Sequence, residues 1–201
     1  MSIVKDTIAI TAITLVAGLA LGVVQDITEG PIAQQQEQSK QEAYKAVFED
    51  ADSFEPCEVD ADALAANLAE NNFNAQTINE VMEAKDASGE TIGYALNVTD
   101  SEGYGGDIQF TMGIQNDGTL NGISILSISE TAGLGMKAKN PDFQDQFKDK
   151  KVEKFEYTKT GATSDDQIDA ISGATITTNA MTNGVNAGLA AFRYEKGGSQ
   201  K

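Results

Sequence analysis

The stretch TIGYALNVTDSEGYGGDIQFTMGIQNDGTLNGISILSIS, residues 91–129, decides the fold. Its apolar residues fall in short runs, and segments rich in glycine, aspartate and asparagine separate the runs. Such segments are typical of hairpin turns. Because the connections are short, the strands should pair antiparallel in a meander. Four strands are predicted, at Ile78–Lys85, Thr91–Val98, Asp107–Ile114 and Leu120–Ile128.

Helices are predicted on either side of this meander in the sequence. The segment DADALAANLAE, Asp60–Glu70, has the spacing of an amphipathic helix, and Thr177–Phe192 carries an apolar face at helical spacing. Pro141–Phe147 is predicted to begin a helix, and Phe155–Thr158 to form a further strand. The predicted fold class is therefore α+β: an antiparallel β meander with flanking helices, preceded by one N-terminal transmembrane helix.

An uncharged run near the N-terminus predicts the transmembrane helix. Thr7–Gln25 is long enough, at ~1.5 Å per residue, to cross a hydrocarbon core of ~30 Å. Lys5 precedes the run, while Asp26 and Glu29 follow it. This asymmetry favours a single-pass inner-membrane protein with a cytoplasmic N-terminus and an extracytoplasmic domain. A cleaved signal peptide is the alternative, but the run is long for one and shows no clear cleavage site.

Changes in composition divide the chain into four parts. Gly30-Pro31 is expected to end the membrane helix, since both residues disfavour its continuation. The predicted parts are a membrane anchor over residues 1–30, a polar helical linker over 31–42, a globular domain over 43–195 and a disordered tail over 196–201.

Composition excludes several classes of function. The chain has 31 acidic and 14 basic residues, a net charge of −17, which opposes binding to nucleic acid. It has no histidine and one cysteine, Cys57. A disulfide, a zinc site or an iron–sulfur cluster therefore cannot be built from its own side chains. Redox chemistry would have to come from an organic cofactor.

The segment DAISGAT, residues 169–175, predicts a phosphate site. It opens with Asp169 and makes a tight turn directly before the last helix. The first N–H groups of a helix lack internal partners and carry partial positive charge, so they attract phosphate. The groups expected around such a phosphate belong to Ser172, Gly173, Ala174, Thr175, Thr177 and Thr178. On this chemistry alone, an ordinary capped helix is the favoured explanation of the segment.

The same segment resembles a known motif. It has the pattern D-x-x-S-G-A-T, the flavinylation motif of an FMN-binding domain family. That domain is shared by the G subunit of the Rnf (Rsx) electron-transport complex and the C subunit of the Na⁺-translocating NADH:quinone reductase. In the family, a flavin transferase attaches FMN from FAD to the last threonine of the motif. The resemblance implies an FMN-binding domain over residues 43–195, with FMN held by a phosphoester bond to Thr175.

Two further segments resemble the same family. GYGGDI at residues 103–108 matches its G-Y-G-G-x-I turn, and SETAGLG at residues 129–135 matches its S-E-T-P-G-L-G loop, with Ala132 in place of proline. The resemblance implies that Leu134 packs on the flavin ring and that Lys137 places positive charge nearby. Plain turns beside strands are the alternative for both segments. The residues added to the implied cofactor site are Tyr104, Glu130, Thr131, Gly133, Leu134, Gly135 and Lys137, together with Asp169.

A second TGAT sequence, the decoy sequence at residues 160–163, offers Thr163 as an alternative to Thr175 for the modified threonine. It is followed by the acidic pair Asp165 and Asp166, which would repel phosphate, whereas an apolar-faced helix follows Thr175. We therefore predict that Thr175 is modified and that Thr163 is not.

The resemblance implies an electron-relay component of a membrane ion-translocating ferredoxin:NAD⁺ oxidoreductase. Its partners would be the other membrane and peripheral subunits, a flavin transferase during maturation, and membrane lipid. Catalytic and metal-binding residues are not predicted, because no acid or base suited to substrate reduction is evident. The alternatives are a part of the NADH:quinone reductase, a stand-alone extracytoplasmic flavin-dependent reductase, and a binding module without a cofactor.

Overall fold

The computed structural model describes residues 3–198, and the chain divides into two compact units, residues 1–40 and 41–201. Helix α1, Ile3–Val47, begins in the first unit and ends in the second. Within the described residues it is the one helix long and apolar enough to cross a membrane, and its apolar window is exposed. This agrees with the predicted single membrane-spanning segment, Thr7–Gln25.

The expected helix end at Gly30-Pro31 is wrong. Helix α1 runs through Pro31 without interruption. A proline inside a helix removes one donor and crowds the carbonyl four residues earlier, but longer helical arms on both sides can carry that loss. The predicted boundary between a membrane anchor and a separate linker helix is therefore not marked by a break in secondary structure.

A five-stranded antiparallel sheet forms the centre of the second unit. The strands follow each other in space in the order of the sequence, as the predicted meander requires. The four predicted strands are confirmed, and an edge strand that the sequence analysis missed precedes them. The bounds are β1 Ser53–Pro56, β2 Gln76–Lys85, β3 Thr91–Asp100, β4 Ile108–Gln115 and β5 Leu120–Ser127.

The remaining elements surround this sheet. Helix α2, Ala61–Glu70, is capped by the Asp60 carboxylate, which accepts a hydrogen bond from the Ala63 N–H. The predicted helix after Asn140 is short and ends in a 3₁₀ turn. The other bounds are a 3₁₀ turn Gly135–Lys139, α3 Pro141–Gln144, a 3₁₀ turn Asp145–Phe147, the parallel pair β6 Glu156–Thr158 and β7 Gln167–Asp169, and α4 Thr175–Gly198.

Helix α4 lies very close to the sheet because glycines face it. A Cβ added at Gly188 would lie 2.0 Å from Met112 Sδ, and one added at Gly184 would lie 2.8 Å from Phe110 Cε1. Both partners are fully buried on β4. The close approach fixes the start of α4 relative to the strand ends, which is where the candidate site lies.

The other face of the sheet has a smaller core. It contains Tyr44, Val47 and Phe48 from the last residues of α1 and the segment after it. The Asn121 side-chain amide donates to the Val47 carbonyl oxygen at 2.9 Å. The second unit thus has apolar residues packed on both sides of its sheet.

The C-terminal end of α4 corrects the predicted tail. Lys196 was expected at the start of a disordered segment, but it lies in α4. Its Nζ is 5.0 Å from the centre of the Tyr94 ring and donates to Asn116 Oδ1 at 3.0 Å. The rest of the predicted tail after Gly198 lies outside the described residues.

The last residue of β3, Asp100, has a buried carboxyl group. Asp100 is 0% exposed, and it accepts hydrogen bonds from Gln76 Nε2 at 2.6 Å and from the Glu102 N–H at 2.8 Å. Glu102 in turn accepts from the Asn183 side chain of α4 at 2.6 Å. Burial raises the pKa of Asp100 to about 6, and the two hydrogen bonds only partly oppose this shift.

We expect Asp100 to make stability fall as pH rises from about 4 to about 6. The folded state holds the Asp100 proton more tightly than the unfolded state, so ionisation opposes folding across that window. A pKa rise of about 2 corresponds to roughly 3 kcal/mol. Urea unfolding of the full chain in detergent should show this fall, and Asp100→Asn should lack it. Equal pH profiles for the two proteins would contradict the prediction.

Candidate functional site

An open cleft of about 580 Å³ lies at the N-terminal end of α4. Ligand sites in proteins are commonly of this size. Three segments line it: the turn between β3 and β4, the loop after β5, and the turn into α4. The lining residues are Tyr104, Glu130, Thr131, Leu134, Gly135, Gly173, Ala174, Thr175, Ile176 and Thr177.

The turn into α4 exposes backbone donors to this cleft. Gly173 has φ +77°, a conformation that glycine adopts without strain, and the Ala174 N–H closes the turn on the Ile171 carbonyl at 3.0 Å. The first helical bond runs from the Thr178 N–H to the Ala174 carbonyl. The preceding amides of α4 have no helical acceptor, so they are available to an anion. Thr175 is half-buried among them.

The buried carboxylate of Glu130 joins two walls of the cleft. Glu130 is 8% exposed, and its Oε1 accepts a hydrogen bond from the Tyr104 N–H at 2.8 Å. A Cβ added at Gly135 would lie 2.6 Å from Glu130 Oε2 and 2.5 Å from Thr177 Oγ1. Gly135 is therefore the point at which the loop after β5 meets both Glu130 and the first turn of α4.

Large apolar side chains stand exposed around the cleft. Tyr104 is 71% exposed, Ile176 52% and Leu134 43%. Among the described residues from Gln41 onward, the other exposed large apolar side chain is Tyr194. Concentration of such side chains at one cleft is typical of a binding surface. Their position beside free backbone donors suits a ligand that combines a flat apolar ring with an anionic group.

The structure brings most of the predicted residues into the cleft, but it leaves five outside its lining. Ser172 and Gly133 are exposed in the adjoining turns, and Lys137 is exposed on the 3₁₀ turn that follows Leu134. The sequence analysis missed Ile176, because the apolar face assigned to the last helix points to the core and Ile176 lies off that face. Its position directly after the motif threonine was the available signal.

Thr178 and Asp169 do not line the cleft, and their side chains bond to nearby backbone groups. Thr178 is fully buried, and its hydroxyl accepts from the Ile171 N–H at 3.0 Å and donates to the Ala174 carbonyl at 2.9 Å. The Asp169 Oδ1 accepts from the Ala162 N–H at 2.7 Å. Both side chains therefore bond to backbone groups around the turn and do not reach the cleft. A carboxylate inside an anion site would also repel the phosphate.

The decoy threonine lies in a different environment. Thr163 is exposed, and its hydroxyl and N–H both donate to Gln167 Oε1, at 3.0 and 3.1 Å. It lies in a loop between β6 and β7, and no helix begins after it before β7. The bare helix start that surrounds Thr175 is absent there.

Comparisons with known proteins identify the family of this chain. Residues 103–190 match the model of the FMN-binding domain family. The G subunit of the Na⁺-translocating ferredoxin:NAD⁺ oxidoreductase complex of Acetobacterium woodii is 32% identical over 184 residues, which cover 90% of this chain and 87% of the relative. The G subunit of the proton-translocating complex of Clostridium ljungdahlii is 31% identical over 201 residues, which cover 96% and 97%. This chain belongs to the family of G subunits of ion-translocating ferredoxin:NAD⁺ oxidoreductase complexes.

A solved structure agrees with the fold of this G-subunit family member. The crystal structure of the C subunit of the Na⁺-translocating NADH-quinone reductase from Parabacteroides distasonis aligns with a TM-score of 0.51 at 23% identity, covering 71% of this chain and 76% of that one. The similarity concerns the fold alone. The matched FMN-binding segment of the present chain includes every residue that lines the cleft.

We expect Gly135→Ala to destabilise the protein by about 1–3 kcal/mol, as an added methyl group does in a packed site. The new Cβ would clash with Glu130 Oε2 and Thr177 Oγ1 and push the loop away from α4. Ala132→Val, at an exposed position of the same loop, is the matched control. Thermal unfolding of the three proteins measures the effect. A Gly135→Ala midpoint equal to that of the control would show that the contact tolerates a side chain.

Proposed function

We propose that this chain carries FMN on Thr175 and passes electrons between redox centres of an ion-translocating ferredoxin:NAD⁺ oxidoreductase. The observation that carries the proposal is the position of Thr175. It stands at the bare start of α4, in the lining of a cleft with exposed apolar residues and within the matched FMN-binding segment. The relatives named above are subunits of such complexes.

The residues of the cleft fit the two ends of an FMN molecule. The N–H groups of the first turn of α4 would hold the phosphate, and the helix dipole would further stabilise this anion. Tyr104, Leu134 and Ile176 would lie against the flat ring and exclude water from it. The flavin supplies the electron-transfer chemistry, while these residues bind and orient it.

The proposed attachment transfers the FMN group of FAD to the Thr175 hydroxyl, with AMP as the leaving group. The Thr175 hydroxyl oxygen attacks the phosphorus on the flavin side of FAD, and the bond between the two phosphate groups breaks. A phosphoester forms, AMP leaves, and the hydroxyl proton is released to solvent. A flavin transferase is the proposed catalyst of this step, as in the family whose motif the DAISGAT segment resembles.

A relay fits the cleft better than a stand-alone reductase. The lining has two ionisable side chains: Glu130, which is buried and hydrogen-bonded, and Tyr104, whose ring is assigned to the contact with the flavin. A reductase of a soluble acceptor would need a group to deliver a proton to its substrate. Single-electron transfer to a neighbouring protein needs no such group.

The membrane helix gives the proposed location. Lys5 before the apolar run and the acidic residues after it favour a cytoplasmic N-terminus and an extracytoplasmic FMN domain. An FMN lost on that side would not be replaced from the cytoplasm, and a covalent bond prevents the loss. Lipid and the membrane subunits of the complex would contact α1.

We expect Thr175→Val to abolish covalent FMN when the chain is produced together with a flavin transferase. Thr163→Val, at the decoy sequence, should leave it unchanged. Intact mass spectrometry should show one FMN less one water on the wild type and on the control variant. Flavin fluorescence that remains with the Thr175→Val chain in a denaturing gel would contradict the assignment of the site.

We expect membranes that contain the assembled complex to reduce NAD⁺ with reduced ferredoxin, and Thr175→Val to abolish this activity. Both substrates should act only from the cytoplasmic face of sealed vesicles. A protease added to the opposite face should digest the FMN domain. NADH:quinone reduction without ferredoxin activity would assign the chain to a quinone reductase, and digestion from the cytoplasmic face would reverse the proposed orientation.

A further inference from the structure

Hydrogen bonds of two side chains hold Asp169 in place. Asp169 is the last residue of β7, and the turn to Thr175 begins after it. Its own carboxylate accepts from the Ala162 N–H at 2.7 Å. Its backbone N–H donates to Gln146 Oε1 at 2.6 Å, and its carbonyl accepts from Gln146 Nε2 at 3.4 Å. Asp169 is thus hydrogen-bonded on one side to the loop between β6 and β7 that contains the second TGAT sequence (the decoy loop, residues 159–166). On the other side it is hydrogen-bonded to the 3₁₀ turn after α3.

The end of the turn next to α4 is also held by hydrogen bonds. The Thr178 hydroxyl bonds to both the Ile171 N–H and the Ala174 carbonyl, so it closes the turn from inside the helix. The Ala170 N–H donates to the Thr158 carbonyl of β6 at 2.8 Å. From Ala170 to Ala174, only the two central residues 172 and 173 are exposed. The turn before Thr175 is therefore hydrogen-bonded at both ends, and only Ser172 and Gly173 between them are exposed.

We propose that Asp169 is a positioning residue for the modification of Thr175, acting through its hydrogen bond to Ala162. This inference rests on the proposed covalent attachment of FMN and adds to it a role for the first residue of the DAISGAT segment. The carboxylate holds the decoy loop against the base of the turn, and this contact sets the direction in which the turn enters α4. Gln146 supports the same residue from the opposite side.

Two features of the site favour positioning over direct contact with the flavin or its phosphate. The Asp169 carboxylate is turned to the decoy loop and does not line the cleft. Its negative charge would also weaken an anion site at a helix start. A hydrogen-bond acceptor in this place is useful, whereas the charge itself is not required for the geometry.

The test measures the rate of FMN attachment by purified flavin transferase to the full-length chain in detergent, with FAD as donor. Intact mass spectrometry follows the product, below the unfolding temperature of every variant. Asp169→Ala removes the acceptor, and Ala162→Pro removes the donor without changing Asp169. Loss of a hydrogen bond to a carboxylate should slow attachment by about tenfold in each case, mainly through kcat.

Conservative variants separate positioning from charge recognition. Asp169→Asn keeps an acceptor oxygen and should attach FMN at a rate within about threefold of wild type, since a neutral hydrogen bond is about half as strong. Asp165→Asn removes a negative charge from the same loop, where Asp165 pairs with Lys150, and should have no effect on attachment. Gln146→Ala should slow attachment, whereas Gln146→Glu retains an acceptor for the Asp169 N–H.

The outcomes are distinct. A wild-type chain that gains no FMN mass overturns the proposed function and this inference with it. A modified wild type with a normal rate for Ala162→Pro overturns the positioning role alone. So does an Asp169→Asn variant that is as slow as Asp169→Ala with a raised KM, because that result assigns the carboxylate to recognition by the transferase.

Discussion

The site depends on a single physical constraint: the first amides of α4 have no carbonyl within the helix to bind. Such groups must be satisfied by a side chain, by water or by a ligand. The buried hydroxyl of Thr178 does not cap them, because it bonds to the turn behind the helix. The amides around Thr175 are thereby left facing an open cleft, where an anionic group is the natural partner.

The antiparallel order of the sheet brings the other walls to this helix start. In a meander, neighbouring strands run in opposite directions. The end of β3, the beginning of β4 and the end of β5 therefore lie at the same end of the sheet. The turn that carries Tyr104 and the loop that carries Leu134 are therefore neighbours, and Glu130 bonds one to the other. Glycines that allow α4 to approach β4 set the third wall against these two.

The sequence predicted the meander and α4 because long alternating or helical patterns and marked turns specify them. It missed β1 and β7, which have only four and three residues and show no clear period, although β6 is equally short and was predicted as Phe155–Thr158. The site was predicted through three segments, and most of their residues do line the cleft. The directions of Asp169 and Thr178 could not be read from the motif, because contacts with Ala162 and Ile171 set them. Pro31 likewise shows that a local preference against helix was outweighed by the helix on both sides.

The three exposed apolar side chains at the cleft have a consequence for self-association. Tyr104, Leu134 and Ile176 present an uncovered apolar surface at the mouth of the cleft. Surfaces of this kind favour association with other apolar surfaces, including a second copy of the chain. Under the proposed function, the flavin ring would cover this surface, so the bound cofactor would limit aggregation as well as carry electrons.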